Sequence, residues 1–379
     1  MMRALLGGML LLVLLGPAHA STYDDFSTGL EASNQGNNDL AIASFSRALE
    51  AGDLATNLQP VAYLDRGKAY FRKGDFDKAR SDFESAIHLK PDYSDAYYFI
   101  GISATTDAEV DQSLTDFNTV IKINPNSAMA YDARGIVYAL KGDFNSAIQD
   151  QTHAIQLRPN YAGLYADRAK TYARVEYYEQ ALADLDRAIG MAPALPDIYL
   201  NRALVYEAMG RISDAQSDYD TMLRSASSFA NYFSLGRFQW SIGKFADAAA
   251  SFERAFASEG SVQARDYVAL WLYLARARLS AGAAQSIDTV SLDLASWPAP
   301  ILNLYQSKTT PDDVFKAIAL GGQETTQDER CEADFYVGEW HLLKQDTKAA
   351  RPLLEEAARI CPSDFVEFWR ARLEVKRLQ

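Results

Sequence analysis

Cysteine and histidine are scarce in this chain. Its 379 residues hold two cysteines, Cys331 and Cys361, and four histidines, His19, His88, His153 and His341. Two thiols are too few for a Cys-rich structural zinc site, and no histidines stand in HExxH spacing. Cationic excess is missing as well: 37 Lys+Arg stand against 50 Asp+Glu, a formal net charge of −13. Proteins that bind nucleic acid neutralise phosphates with Lys and Arg, so no nucleic-acid partner is expected. Beyond the first fifteen residues no run of 18 consecutive apolar residues occurs, so no membrane-spanning segment is expected in the mature chain. Nor is there a nucleophile–base set, a phosphate-cradling glycine loop or a metal spacing. The expectation is a protein that is not an enzyme and uses no cofactor or metal. What remains is ordinary globular material, 48% apolar and 23% charged.

The first twenty residues open on Met1-Met2-Arg3, run almost wholly apolar from Ala4 to Leu15, and end in Gly16-Pro17-Ala18-His19-Ala20. A cationic start, a short hydrophobic run and small residues two apart describe a secretory signal peptide over residues 1–20, cut after Ala20. The run is shorter than the roughly 20 residues a bilayer span takes. The alternative is a segment kept as an N-terminal anchor. No cysteine follows it, so the thiol acylated in bacterial lipoproteins is missing.

Internal periodicity dominates the remainder of the chain. Gly67, Gly101, Gly135, Ala169 and Ala203 stand 34 residues apart; Gly236 comes after 33, and Gly29 precedes Gly67 by 38. A tyrosine stands four residues before the small residue (Tyr63, Tyr97, Tyr131, Tyr165, Tyr199, Tyr232), and a glycine seven after it (Gly74, Gly142, Gly210, Gly243). Alanine comes twelve after (Ala79, Ala147, Ala181, Ala215, Ala248), and a ring or leucine sixteen after (Phe83, Phe117, Leu185, Tyr219, Phe252). Proline comes twenty-four after (Pro91, Pro125, Pro159, Pro193).

Each position has a physical job. The small residue lets helix A approach helix B, large rings fill the gap, and the glycine turn accepts a left-handed backbone. The proline cannot continue helix B, so the next unit starts there. This is the tetratricopeptide-repeat (TPR) pattern. It predicts an all-α solenoid, a right-handed superhelix of stacked antiparallel helix pairs, with about seven repeats over 21–262. An irregular helical region is expected over 263–330, then a TPR-like unit and an amphipathic capping helix carrying Phe365, Trp369 and Leu373 over 331–379. In the third repeat Thr105-Thr106-Asp107 replaces the glycine turn, so that turn should be looser.

Arg66, Arg134, Arg168 and Arg202 recur one residue before the small position, and Asp82, Asp116, Asp150, Asp184 and Asp218 fifteen after it. Charges that recur at fixed repeat positions read as staples between helices A and B, not as an active-site array. By family analogy the A helices line a concave groove where ligand segments lie. With the small residue counted as position 8, positions 9 and 13 share one face a turn apart. They hold Lys68 and Arg72, Lys170 and Arg174, and Arg237. Rings stand at position 5 (Tyr98, Phe233) and position 12 (Phe71, Trp240). A cationic strip spotted with aromatics suits an extended acidic or C-terminal peptide segment; the alternative is a merely solvated helix face.

The C-terminal third carries a narrower resemblance. Trp271-Leu272-Tyr273-Leu274-Ala275, Trp297-Pro298 with Ile301 and Tyr305, Glu332, Phe335-Tyr336-Val337-Gly338 and Phe365-Val366-Glu367 resemble the family of the envelope TPR protein NlpI. That resemblance implies a helical adaptor of the bacterial periplasm that gathers peptidoglycan hydrolases, in some cases a processing protease, and that forms homodimers. The missing lipobox cysteine and the additional repeats depart from that family's type. A different TPR role, a chaperone for assembly of an outer-membrane secretion or pilus complex, is the alternative.

Cys331 opens the last repeat and Cys361 closes it. In an antiparallel helix pair the start of helix A lies beside the end of helix B, and an exported protein meets an oxidising compartment, so a disulfide is the natural reading. Two buried free thiols are the alternative; a catalytic thiol lacks a histidine placed to activate it.

Overall fold

The fold was described from a computed structural model, over residues 17–104, 107–279, 297–320, 327–361 and 366–378. Among these residues every regular element is a helix. The expected signal sequence up to Gly16, the Thr105-Thr106 turn, Pro362 and Phe365 lie outside the described residues. The chain divides into an N-terminal unit, Met1–Met191, and a C-terminal unit, Ala192–Gln379.

The N-terminal unit is five antiparallel pairs: α1 (Pro17–Asn34) with α2 (Asn38–Glu50), α3 (Gln59–Arg72) with α4 (Phe76–Leu89), α5 (Ser94–Ile102) with α6 (Asp107–Ile123), α7 (Ala128–Leu140) with α8 (Phe144–Leu157), and α9 (Ala162–Arg174) with α10 (Tyr178–Met191). Each pair also packs on the next. The small residue works as its spacing implied. A Cβ added to Gly67 would sit 2.6 Å from the Phe83 ring, and one added to Gly29 or Gly101 2.7 Å from Phe45 or Phe117. A ring sixteen residues on therefore fills the space a side chain on helix A would take. The fourth pair breaks the rule. Gln151 stands where the ring belongs, 1% exposed, and neither of its amide atoms finds a hydrogen-bond partner.

The turns follow the same logic. Gly36, Gly74 and Gly142 adopt φ of +74, +78 and +80°. The residue after each then caps the next helix: Asn37, Asp75 and Asp143 accept from the backbone N–H of Leu40, Lys78 and Ser146. The fifth pair places Glu176 in that left-handed position, at φ 61°.

The recurrent Arg and Asp pair as staples. Arg66, Arg134 and Arg168 each grip the aspartate of their own helix B with two hydrogen bonds of 2.6–2.8 Å. A third guanidinium nitrogen reaches the B helix of the preceding pair, on Ser46, Asn118 and Thr152. Arg66 and Arg134 also lie over Tyr63 and Tyr131, three residues earlier, which gives the repeated tyrosine its place. One planar fork thus joins three helices.

The C-terminal unit begins with two regular pairs, α11 (Pro196–Ala208) with α12 (Ile212–Ser225) and α13 (Phe229–Ser241) with α14 (Phe245–Ala257). It continues through α15 (Val262–Leu279), the shorter α16 (Ala299–Tyr305) and α17 (Pro311–Leu320), and the pair α18 (Gln327–Leu343) with α19 (Thr347–Ile360), and it ends in α20 (Val366–Arg377). Arg202 and Asp218 repeat the staple here. The core centres on Trp271, packed against Trp240, Phe252, Phe335 and Tyr336. Cys331 and Cys361 are joined across the mouth of the α18–α19 pair, Sγ–Sγ 2.09 Å.

Candidate functional site

The strip of positions 5, 9, 12 and 13 has different surroundings in the two units. In the N-terminal unit Lys68 and Lys170 are already engaged, each by the aspartate three residues before it: Asp65 at 3.1 Å and Asp167 at 2.9 Å. Lys68 also lies over the Phe99 ring. Phe71 and Tyr98 are half-buried, Phe71 against Phe76 and Phe99 and Tyr98 against Phe99 and Phe117. Arg174 donates to the Ala139 carbonyl. Arg72 stands exposed at the end of α3. The strip is therefore less cationic than its composition suggests, because two of its charges are offset locally.

Three residues on α7 belong to the same face. Ile136 and Leu140, at positions 9 and 13, are 39% and 59% exposed, apolar where α3 and α9 carry cations. Asp132, at position 5, is 4% exposed, and its Oδ1 has no hydrogen-bond partner. Burial, with repulsion from Asp167 added and Lys170 opposing, pushes the Asp132 carboxyl up to about 8. A search for cationic positions passes over all three. The signal that would find them is apolar or acidic residues at positions that are basic in neighbouring repeats.

In the C-terminal unit the structure corrects the strip. Trp240 is wholly buried, its ring against Phe245 and Trp271, and it belongs to the core. Arg237 is half-buried over the Phe233 ring and feels Tyr219, Arg370, Glu367 and Glu207. Burial lowers its guanidinium from the ordinary arginine value. The cause of this closure is α20. Arg370 reaches Glu207, position 12 of α11, at 3.3 Å, and Arg377 donates to the carbonyl of Ser241, position 13 of α13, at 2.9 Å. Arg278 on α15 bridges Glu339 of α18 and Glu374 of α20. The last helix thus crowds Arg237, while Trp240 is closed off by the core.

The residues behind the resemblance in the C-terminal third meet in the core of that unit. Tyr267 and Trp297 both donate to Glu332, at 2.8 and 2.6 Å, Tyr305 donates to the Tyr336 carbonyl, and Tyr336 donates to Glu367. Burial and repulsion from Glu367 push Glu332 up to about 7. These groups hold helices together.

No group of three or more His, Cys, Asp or Glu suited to a metal ion occurs among the described residues, and no helix there is long and apolar enough to cross a membrane.

Two family models, both described as tetratricopeptide repeat, match the sequence, one over residues 26–94, 64–106 and 233–286 and the other over 129–161. No curated protein matches it. Among solved structures, a tetratricopeptide repeat protein from Parabacteroides merdae ATCC 43184 is similar, with 19% identity and a TM-score of 0.57 over 68% of this chain and 99% of that one. A thermophilic TPR protein of Thermus thermophilus (22% identity, TM-score 0.40) covers 48% of this chain and 98% of its own. The pilF protein of Pseudomonas aeruginosa (15% identity, TM-score 0.46) covers 56% of this chain and 97% of its own. At 19% identity the first of these likenesses speaks to the fold alone.

Proposed function

From the premise that this chain is built of tetratricopeptide repeats, a protein–protein interaction scaffold, we propose that the A-helix face of the N-terminal unit is its docking surface. The observation that carries this is the exposure of Ile136 and Leu140 on α7, on the A-helix face that carries Lys170 on the next A helix, α9, and exposed Arg72 two A helices away, on α3. Apolar side chains left open on this face fit an extended partner segment with apolar residues over α7 and acidic residues toward Arg72 on α3. The matching face of the C-terminal unit is occupied by α20 and is not a second groove. The N-terminal segment 1–20 supports export, and with the resemblance in the C-terminal third the partners are envelope proteins of a bacterial periplasm: peptidoglycan hydrolases or a processing protease.

The test is a photo-crosslinker at position 136 in the full chain within its own cells. Capture of wall hydrolases or an envelope protease, lost in Arg72→Glu with Leu140→Asp, is the expected result. Unchanged capture in that double variant would refute the docking face. Capture of secretin or pilus subunits in their place would replace the hydrolase assignment with an assembly chaperone. N-terminal sequencing of the mature protein that began at Met1 would remove the cleaved signal.

A further inference from the structure

One corner of the same face is built for charge of the opposite sign. Tyr98 and Asp132 hold equivalent positions on the adjacent A helices α5 and α7, three residues before the small residue, and Asp167 lies one position further along on α9. In the stapled repeats the buried aspartate of helix B has its arginine: Asp82, Asp150, Asp184 and Asp218 each receive a two-pronged grip. Asp132 has none. It is 4% exposed, its Oδ1 is shut off from water without a donor, and the cation it feels, Lys170, already serves Asp167 at 2.9 Å. The rim is more open: Lys170 is 57% and Asp167 26% exposed at the side chain, and the Tyr161 ring, whose charge the Tyr98 phenol feels along with those of Asp132 and Asp167, is exposed.

We propose that Tyr98, Asp132 and Asp167 form a subsite for a lysine or arginine side chain carried by the segment that docks on this face. A buried carboxyl without a donor is costly, and the remedy is a partner that brings both hydrogen and positive charge. An ammonium or guanidinium supplies both. A carboxylate or phosphate arriving at the same place brings no positive charge and meets the charge of Asp167. The docked segment is thus patterned, with apolar residues over Ile136 and Leu140, one basic residue at the Asp132 corner, and acidic residues outward toward Arg72. The inference rests on the proposed docking face and adds the sign of charge at one position.

The test uses the full chain and three fluorescein-labelled capped peptides with leucine and glutamate flanks, identical except for a central lysine, norleucine or glutamate. Fluorescence anisotropy should show the lysine peptide binding about tenfold tighter than the norleucine peptide, with the glutamate peptide weakest. Asp132→Asn should bring the lysine and norleucine peptides together while leaving norleucine affinity alone; Arg72→Glu should weaken all three. A second readout needs no variant. Calorimetry of the wild type at about pH 7.5, in two buffers of different ionisation enthalpy, should show proton release with the lysine peptide and none with norleucine. Equal binding of lysine and norleucine peptides, a lysine preference that survives Asp132→Asn, or no proton release overturns the subsite while the docking face stands. Failure of all three peptides to bind overturns both.

Discussion

Asp132 and Asp82 show how one residue type takes opposite roles in a single architecture. Asp82 is buried but held in the fork of Arg66. Asp132 is as deeply buried and has no arginine, so burial leaves its proton on the carboxyl. The sign of the consequence is fixed. A carboxyl whose pKa rises on folding stabilises fully below the ordinary carboxylate value, and its contribution is lost as pH rises from about 4 toward about 8. Asp167 and Lys170, the charged groups facing it, are both paired and alter the size of that loss but not its direction. Asp132→Asn should therefore be more stable than the wild type above about pH 8 and nearly equal to it near pH 4, by an order of a few kcal/mol at most. Urea denaturation followed by far-UV circular dichroism at the two pH values measures it; a variant that loses stability at both would show that the carboxyl makes a bond the structure does not contain.

At the scale of elements the repeat is legible because its constraints are local. The spacing of sixteen between Gly67 and Phe83, and between Arg66 and Asp82, is set by one helix crossing another, so sequence distance stands in for spatial distance. The same reasoning locates where the pattern is broken. Glu176 occupies the turn position that glycine fills in five other pairs of the chain and holds φ of 61°. Its side chain crowds a left-handed backbone, so Glu176→Gly should stabilise by a few tenths to about 1 kcal/mol, after the added freedom of the unfolded chain is subtracted. A shift of the urea midpoint upward is the expected result, and a downward shift would mean the glutamate makes a compensating contact. The bond between Cys331 and Cys361 closes a loop across the α18–α19 pair at a sequence separation of 30. Replacing both by alanine should lower stability by ~3.5 kcal/mol in the loop-entropy view. Chemical denaturation of wild type and double variant under non-reducing conditions checks this, and equal midpoints would leave the bond without a stabilising role.

Over the whole molecule, what no local pattern reveals is which surfaces the chain covers for itself. Arg370 and Glu207 are 163 residues apart and share no repeat, so nothing near either one announces their meeting. Position 9 of the seventh repeat therefore looks like position 9 of the second, although Arg237 faces α20 while Lys68 faces Asp65. The capping helix is legible as an amphipathic element; that it packs on α19 and α18 and sends Arg370 and Arg377 to α11 and α13 depends on packing between distant parts of the chain. This self-covering also concentrates buried charge in the C-terminal unit, where Glu332 lies among Tyr267, Trp297 and the repelling Glu367. All five tryptophans of the chain, at 240, 271, 297, 340 and 369, belong to this unit, so tryptophan emission reports its unfolding without a label. Burial and Glu367 raise Glu332 to about 7, and burial raises Glu367 itself, so their contribution is whole below about pH 4.5 and shrinks as pH climbs to about 7. The urea midpoint of tryptophan emission should accordingly fall between about pH 5 and about pH 8, and Glu332→Gln, which keeps an acceptor for the Trp297 N–H but cannot ionise, should flatten that fall. A midpoint that does not move with pH would mean that this carboxyl is ionised in the core and that Tyr267 and Trp297 are enough to hold its charge; a slope undiminished in Glu332→Gln would assign the fall to Glu339, which burial also raises to about 7.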